Sequence, residues 1–389
     1  MTRFVHTADW QIGKPYGSVA EPGKRALLQE ARIQAIERLG EVAAEADAAF
    51  IVVAGDLFDS ATVPSATVSK TLAAIGALAR PVYVIPGNHD HGGAGGIWGQ
   101  AYFQREHDAL APNLHVLLEA EPVVLDTAVL LPCPLLRRHA SDDPAAWLAR
   151  LEGQWEGFGD LPRIVLAHGS VQDFTGAVSD EEEDLYTSVP NRLHLERMPM
   201  ADIDYIALGD WHGTLQVGPK AWYAGAHEQD RFPRGPEYTS GQCLVVTAER
   251  GAPPGVRAAV TGAVRWHQLS HEFVGEDPVS AFKQAMAQLL GGRVERDLLE
   301  LRLSGALGFA DHDRLQDELS VWTNRLIRLK LKDTTTYAPT AEEIDALANR
   351  AEDPLIAQVA QALLAEGAGE GREADVARHA LRELHRLAG

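Results

Sequence analysis

Cysteine is scarce, with Cys133 and Cys243 the only two in 389 residues. Two cysteines cannot build a disulfide framework, and they show no metal-ligand spacing, so both are expected as buried small hydrophobes. Long apolar runs are missing too. The stretch Val123 to Leu136 is cut by Asp126, Pro132 and Pro134, and nothing nears the ~20 residues of a membrane helix. The opening MTRFVHTADW has one Arg, a short apolar stub and Asp9, so no signal-peptide core fits and a soluble cytoplasmic protein is expected. Positive charge is short as well: 35 Lys and Arg against 55 Asp and Glu leave a net charge of −20. That balance excludes a generic polyanion binder, because the long-range field repels phosphates. Nucleic acid would have to be met by a local basic patch or by metal ions held on the protein's own carboxylates.

What is there is an ordinary globular composition, 46% apolar and 23% charged, at a length that suits two or three domains of ~150 residues. Phe4-Val5 opens a strand that ends at His6-Thr7-Ala8-Asp9. Leu27, Leu28, Ile33, Ile36 and Leu39 follow at helical spacing, and Ala48 to Ala54 is a buried-strand run. A second helix near Ser65 to Leu78 and a strand from Pro81 to Ile85 complete a β-α-β-α-β pattern, the mark of a layered α/β fold. Further strands are expected at Val123–Leu125, Ala128–Leu131, Ile164–Ala167, Ile206–Leu208 and Leu244–Thr247. Gly251-Ala-Pro-Pro-Gly255 reads as a boundary, with domains expected over 1–250 and 256–339 and a helical segment over 340–389. The middle piece alternates Leu299, Leu301 and Leu303 with charged residues around a helix from about Asp311 to Leu326, a small α+β module. In the last helix Val376, Ala380, Leu384 and Leu387 form an apolar stripe. The chain has no internal repeat and no low-complexity tract.

Five short motifs follow apolar runs: Asp9-Trp10-Gln11, Gly55-Asp56-Leu57-Phe58-Asp59, Gly87-Asn88-His89-Asp90, Ala167-His168-Gly169 and Gly209-Asp210-Trp211-His212-Gly213. Singly, each has an ordinary explanation, since an Asp after a strand caps helices and forms turns. Together they supply the mixed carboxylate, amide and imidazole set of a two-metal site. Two divalent cations ~3.5–4 Å apart bind a phosphoryl group, lower the pKa of a bridging water and stabilise transition-state charge. Such a site needs one bridging carboxylate and an acid near the leaving oxygen.

The order and context of these motifs resemble the calcineurin-like metallophosphoesterases, and within them the SbcD-like DNA-repair exonuclease branch. The echoes are HTADWQIG, VVAGDLFDSATVPS, VYVIPGNHD, IVLAHG, YIALGDWHG and WYAGAHEQDRFPR, spread over residues 4–234. The resemblance implies a layered sandwich of two mixed sheets flanked by helices, a small α+β capping domain and a C-terminal helical segment. It implies that Asp9, Gln11, Asp56 and His212 hold one metal and that Asp56, Asn88, His168 and Asp210 hold the other. His89 becomes the acid or phosphate contact, oriented by Asp90 or Asp59. Two Mn²⁺ ions are implied, with Mg²⁺ or Fe as alternatives. DNA, an SbcC-like coiled-coil ATPase docked on the C-terminal helices, and a homodimer through the nuclease domain are the implied partners, with no membrane.

Two positions depart from that pattern. Gln11 stands where the first motif, Asp-x-His, has its histidine, and Asp210 where the last, Gly-His-x-His, has its first. The exchange removes two imidazoles and adds a carboxylate, which favours hard cations and weakens the first site. For DNA contact, Arg231 and Arg234 follow the last motif, Arg137 and Arg138 form another pair, and Arg325, Arg328, Lys330 and Lys332 cluster further on. Each is ordinarily a solvated face, as is the acidic run Asp180 to Asp184. Trp98 is read as a packed residue in preference to a base-stacking one, and His91, His267 and His271 as structural. Three readings stand: a metal-dependent DNA phosphodiesterase working with an ATPase, a phosphoesterase for a small or non-DNA phosphodiester, and a binding or scaffold subunit with a weakened site.

Overall fold

Short runs rich in β-branched and aromatic residues, TRFVHT at Thr2–Thr7 and FIVV at Phe50–Val53, seed the first of two six-stranded sheets. The computed structural model describes residues 1–171, 191–233, 235 and 238–388. The chain forms two compact units, Met1–Arg265 and Trp266–Gly389.

In the first unit, Thr2–Thr7, Phe50–Val53, Val82–Val84 and Leu114–Val116 run parallel, side by side in that order. Gln242–Ala248 adds antiparallel to Thr2–Thr7, and Gly255–Val260 adds antiparallel beyond it. The second sheet has Val129–Cys133, Arg163–His168, Tyr205–Gly209 and Ala221–Tyr223 parallel in that order, with Val123–Val124 and Leu215–Gln216 antiparallel at its edges.

Alternation along each strand sorts the cores. Phe4, Phe50 and Val52 face Leu130, Ile164, Leu166 and Tyr205 in a core between the sheets. Val5, Ile51, Val53, Val82 and Val84 point the other way, onto helices Pro22–Glu45 and Ser65–Gly76. The outer face of the second sheet is covered by the 3₁₀ segments Ala146–Leu151 and Trp155–Phe158 through Trp147, Leu148 and Trp155. The fold is the expected α/β sandwich of two mixed sheets.

Several local expectations shift. Gly251 to Gly255 does not separate domains, because Gly255–Val260 pairs with Gln242–Ala248 and makes this stretch a hairpin turn. Of the helical apolar set, Leu28, Ile36 and Leu39 are buried, but Leu27 is 40% exposed and the fully buried Arg32 takes a place on the inner face. Both cysteines are free and buried, and burial pushes each thiol up to about 12.

The second unit packs helices Pro278–Leu290 and Phe309–Arg325 on a sheet of Arg265–Phe273, Asp297–Leu307, Arg328–Asp333 and Thr336–Tyr337. Helices Ala341–Ala348, Pro354–Gly367 and Arg372–Ala388 follow, and the first opens with a capping box between Thr340 and Glu343. The last helix buries Ala374, Ala377 and Leu381, while Val376 and Leu387 of the expected stripe are 61% and 78% exposed. Among the described residues no helix is long and apolar enough to cross a membrane.

Candidate metal centre

The candidate metal ligands stand at or just after the ends of parallel strands, where the carboxyl ends of both sheets meet at one edge. Open α/β sheets place their ligands at that edge. Asp9 follows Thr2–Thr7, Asp56 follows Phe50–Val53, Asn88-His89-Asp90 follow Val82–Val84, His168 closes Arg163–His168 and Asp210 follows Tyr205–Gly209. The turns are tight. Asp9, Gln11, Asp56 and Asp210 all have positive φ (53°, 37°, 55° and 103°). Such backbone costs on the order of 1–3 kcal/mol per residue and persists only where the surroundings enforce it.

Two glycines make room. A Cβ on Gly55 would lie 2.2 Å from His168 Nδ1, and one on Gly87 would lie 2.1 Å from Asp56 Oδ1. The Gly-Asp and Gly-Asn-His motifs are therefore packing requirements as well as turns.

Asp9, Asp56 and His168 offer ligand atoms that all lie within 4.8 Å of one another, and all three residues are buried. His168 Nδ1 donates to the Ala54 carbonyl at 2.8 Å, which fixes the tautomer and leaves Nε2 facing the cluster. Around Nε2 stand Asn88 Oδ1 at 2.8 Å, Asp56 Oδ2 at 3.6 Å and Asp210 Oδ1 at 3.9 Å. Asp210 is tied in at both ends: its backbone N–H donates to Asp9 Oδ1 at 3.0 Å and its Oδ2 accepts from Ser170 Oγ at 2.8 Å.

The electrostatics are those of a site with surplus negative charge. Burial pushes the Asp9 carboxyl up to about 7, against the pull of His168. Burial alone would lower His168, but the Asp56, Asp9 and Asp210 carboxylates outweigh it and raise the imidazole to about 9. Burial also works against the Asp56 anion, yet His168 and His89 hold its carboxyl below the usual range. Hard oxygens beside one imidazole, with a proton shared among them, are the donor chemistry of a divalent cation site.

His89 faces the same cluster, with Nε2 at 4.0 Å from Asp56 Oδ2. Its Nδ1 donates to the backbone carbonyl of Asp59 at 2.9 Å, while the Asp59 carboxylate stands 4.0 Å away. Asp90, expected as a candidate to orient His89, braces the loops instead. Its oxygens accept from Gly87 N at 2.7 Å and Phe58 N at 3.1 Å, and its carbonyl accepts from the packed Trp98 indole.

His212 lies on the other flank, its Nδ1 donating to Asp230 Oδ2 at 2.7 Å. Burial, with help from Arg231, lowers this imidazole to about 3, so it is neutral. Arg231, expected as a phosphate contact, has its guanidinium bonded to Asp230 at 3.2 Å and its side chain only 13% exposed. Arg234 and the acidic run 180–184 lie outside the described residues. Sequence reasoning missed Asp230, although the motif segment WYAGAHEQDRFPR contains it, and it missed Lys14 and Arg32. The fully buried Arg32 donates to the Trp10 carbonyl at 2.6 Å, the Asp9 carbonyl at 2.8 Å and the Tyr16 hydroxyl at 3.1 Å, holding the first motif in its turn.

A family model described as calcineurin-like phosphoesterase matches residues 2–214. The SbcD subunit of the nuclease SbcCD of Escherichia coli K12 is 27% identical over 247 residues, 56% of this chain and 57% of that protein. The SbcD subunit of Bacillus subtilis 168 is 32% identical over 93 residues, 23% of this chain and 22% of that protein. The chain thus matches little more than half the length of the first of these relatives. Among solved structures it is similar to TT1561 of Thermus thermophilus, with a TM-score of 0.39 and 13% identity over 67% of this chain and 99% of that one.

Proposed function

The chain belongs to the calcineurin-like phosphoesterase family, a family of metal-dependent hydrolases, and from that premise we propose that it is a phosphodiesterase acting on DNA, in the manner of the SbcD-like branch. The observation that carries the reading is the Asp9, Asp56 and His168 cluster, with ligand atoms within 4.8 Å of one another and His89 beside it. Asn88 and Asp210 complete the donor set. A divalent cation bound there, with Mn²⁺ the one we assign, would lower the pKa of a water and offset phosphoryl charge.

The chain's own residues account for the rest. Asp56 accepts the His89 backbone N–H at 3.0 Å, which locks the Gly-Asn-His turn against the cluster. The Asp59 carbonyl keeps a hydrogen on His89 Nδ1 and aims Nε2 at the site. As water adds to phosphorus and the bond to the leaving oxygen breaks, a protonated His89 Nε2 passes its proton to that oxygen. Proton transfer of this kind contributes about 10²–10⁴-fold. On the same reading an SbcC-like ATPase docks on residues 340–389, the capping module begins at Trp266 and runs to 339 in place of the expected 256–339, and the nuclease units pair as a homodimer.

A second reading, a phosphoesterase for a small or non-DNA phosphodiester, is favoured by the net charge of −20 and by the engagement of Arg231 with Asp230. Mn²⁺-dependent cleavage of end-labelled single- and double-stranded DNA, beside bis-p-nitrophenyl phosphate, decides between them. DNA cleavage that disappears in Asp56→Ala is the expected result. Turnover of the small ester alone moves the assignment to the second reading, and turnover of neither overturns both.

A further inference from the structure

The described His, Cys, Asp and Glu side chains form one group able to hold a cation, Asp9, Asp56 and His168. The flank where Gln11 and His212 were expected to complete a second ion site is built differently. Gln11 Oε1 accepts a hydrogen bond from Lys14 Nζ at 3.0 Å, and Gln11 Nε2 lies 3.4 Å from Asp56 Oδ2 as a donor. Reversing the amide would set its NH₂ against an ammonium and its oxygen against a carboxylate, so these neighbours fix its orientation. Gln11 therefore presents an N–H to the cluster, and its oxygen, the atom that could bind a metal, is already engaged by the Lys14 ammonium.

The Lys14 ammonium also lies 3.4 Å from Asp230 Oδ2, the oxygen that accepts the His212 Nδ1–H at 2.7 Å. It is thus held between the first motif and the last, with a side chain only 19% exposed. An ammonium and a second divalent cation on this flank would repel, and both would need the Gln11 oxygen.

We infer that Lys14 is a resident cation that takes the place of one metal ion, so that the centre holds a single ion on Asp9, Asp56 and His168. The inference rests on the metal-dependent reading above and revises the two-ion expectation. In the reaction, the positive charge offered to phosphate on the Gln11 flank is the ammonium.

Metal counting tests this apart from activity. The full chain is loaded with excess Mn²⁺, desalted and assayed for manganese per chain, and its electron paramagnetic resonance is recorded. One ion per chain with the spectrum of isolated Mn²⁺ is expected. That ion should be retained in Gln11→Ala and lost in His168→Ala, with circular dichroism confirming that both fold. The Gln11→His/Lys14→Met double variant should take up two ions and show a coupled spectrum. Two ions per wild-type chain would overturn the inference while leaving the phosphoesterase reading intact, and no bound manganese would overturn both. A double variant that folds but still holds one ion would refute Lys14 as the excluding group.

Discussion

Replacing Arg32 tests whether the first motif is held by its surroundings. Arg32 is fully buried on the inner face of helix Pro22–Glu45, and two of its three bonds reach main-chain carbonyls, those of Asp9 and Trp10. Asp9 has a φ of 53°, a conformation it would leave without enforcement. Arg32→Met keeps a long apolar stem but strands both carbonyls in the interior. Each buried group left unsatisfied costs about 1–3 kcal/mol, so the loss should be roughly 3–5 kcal/mol. That is a large part of the 5–15 kcal/mol of a typical domain. Arg32→Lys keeps the charge without the planar fork and should lose about half as much. Urea unfolding in excess chelator measures the difference without metal binding to the native state. Repeating it in Mn²⁺ adds the ligand increment, which depends on affinity and should shrink in both variants as Asp9 relaxes. An Arg32→Met protein within about 1 kcal/mol of wild type, with an undiminished Mn²⁺ increment, would refute the reasoning.

Other expectations are sharper in readout. Gly87→Ala places a Cβ 2.1 Å from Asp56 Oδ1, so Mn²⁺ affinity should fall by about tenfold or more, as it does when the groups that orient a metal ligand are disturbed; unchanged binding by calorimetry would show that the turn yields. His89→Ala should keep its metal and slow cleavage about 10²–10⁴-fold, and an unaltered kcat would remove His89 from proton transfer. His6 is buried between the sheets against Tyr205 and the Leu208 carbonyl, and burial lowers its imidazole to about 3. The folded state then binds fewer protons than the unfolded state between about pH 3 and 6.5. The stability this neutral histidine supplies is present above about pH 6.5 and is lost as the pH falls. The stability gap between wild type and His6→Gln should close by about 2 kcal/mol from about pH 6.5 to 5, and a pH-independent gap would count against the assignment.

What could be read from the chain divides along physical lines. The strands and the two-sheet core are local patterns, Phe4 and Val5 or Ile51 and Val52 pointing to opposite faces. The candidate residues stood out because a turn at a strand end favours Gly, Asp or Asn for backbone reasons, and the candidate ligands occupy or adjoin those same turns. Arg32, Lys14 and Asp230 were not legible, because their roles arise from meetings across the fold. Arg32 reaches Trp10 across 22 residues and Asp230 reaches His212 across 18. By periodicity, a charged residue on a helix belongs outside, and nothing in the pattern marks a strained turn whose carbonyls need a buried donor. The last helix shows the same limit in an apolar setting. Hydropathy singles out Val376, Ala380, Leu384 and Leu387, of which Leu384 packs against the cluster of Phe309, Leu347 and Ala360, but the residue of this helix buried in that cluster is Leu381, flanked by the small residues Ala374 and Ala377. Close approach between helices selects for size, which hydrophobicity does not record.

The charge distribution joins the fold to the chemistry. Asp9, Asp56 and Asp210 crowd around one imidazole at the edge where both sheets end, so the cluster needs a compensating cation. On the opposite flank Asp230 is compensated already, by Lys14 at 3.4 Å and Arg231 at 3.2 Å, and its carboxyl is held far below the usual range although burial works against it. The two flanks therefore differ in what they lack. One is short of positive charge and offers lone pairs, while the other carries its own positive charge and offers N–H groups. With a divalent cation held on the first flank, a phosphodiester entering between the two would meet positive charge from both, the local charge that a chain of net charge −20 needs if it is to meet a phosphate.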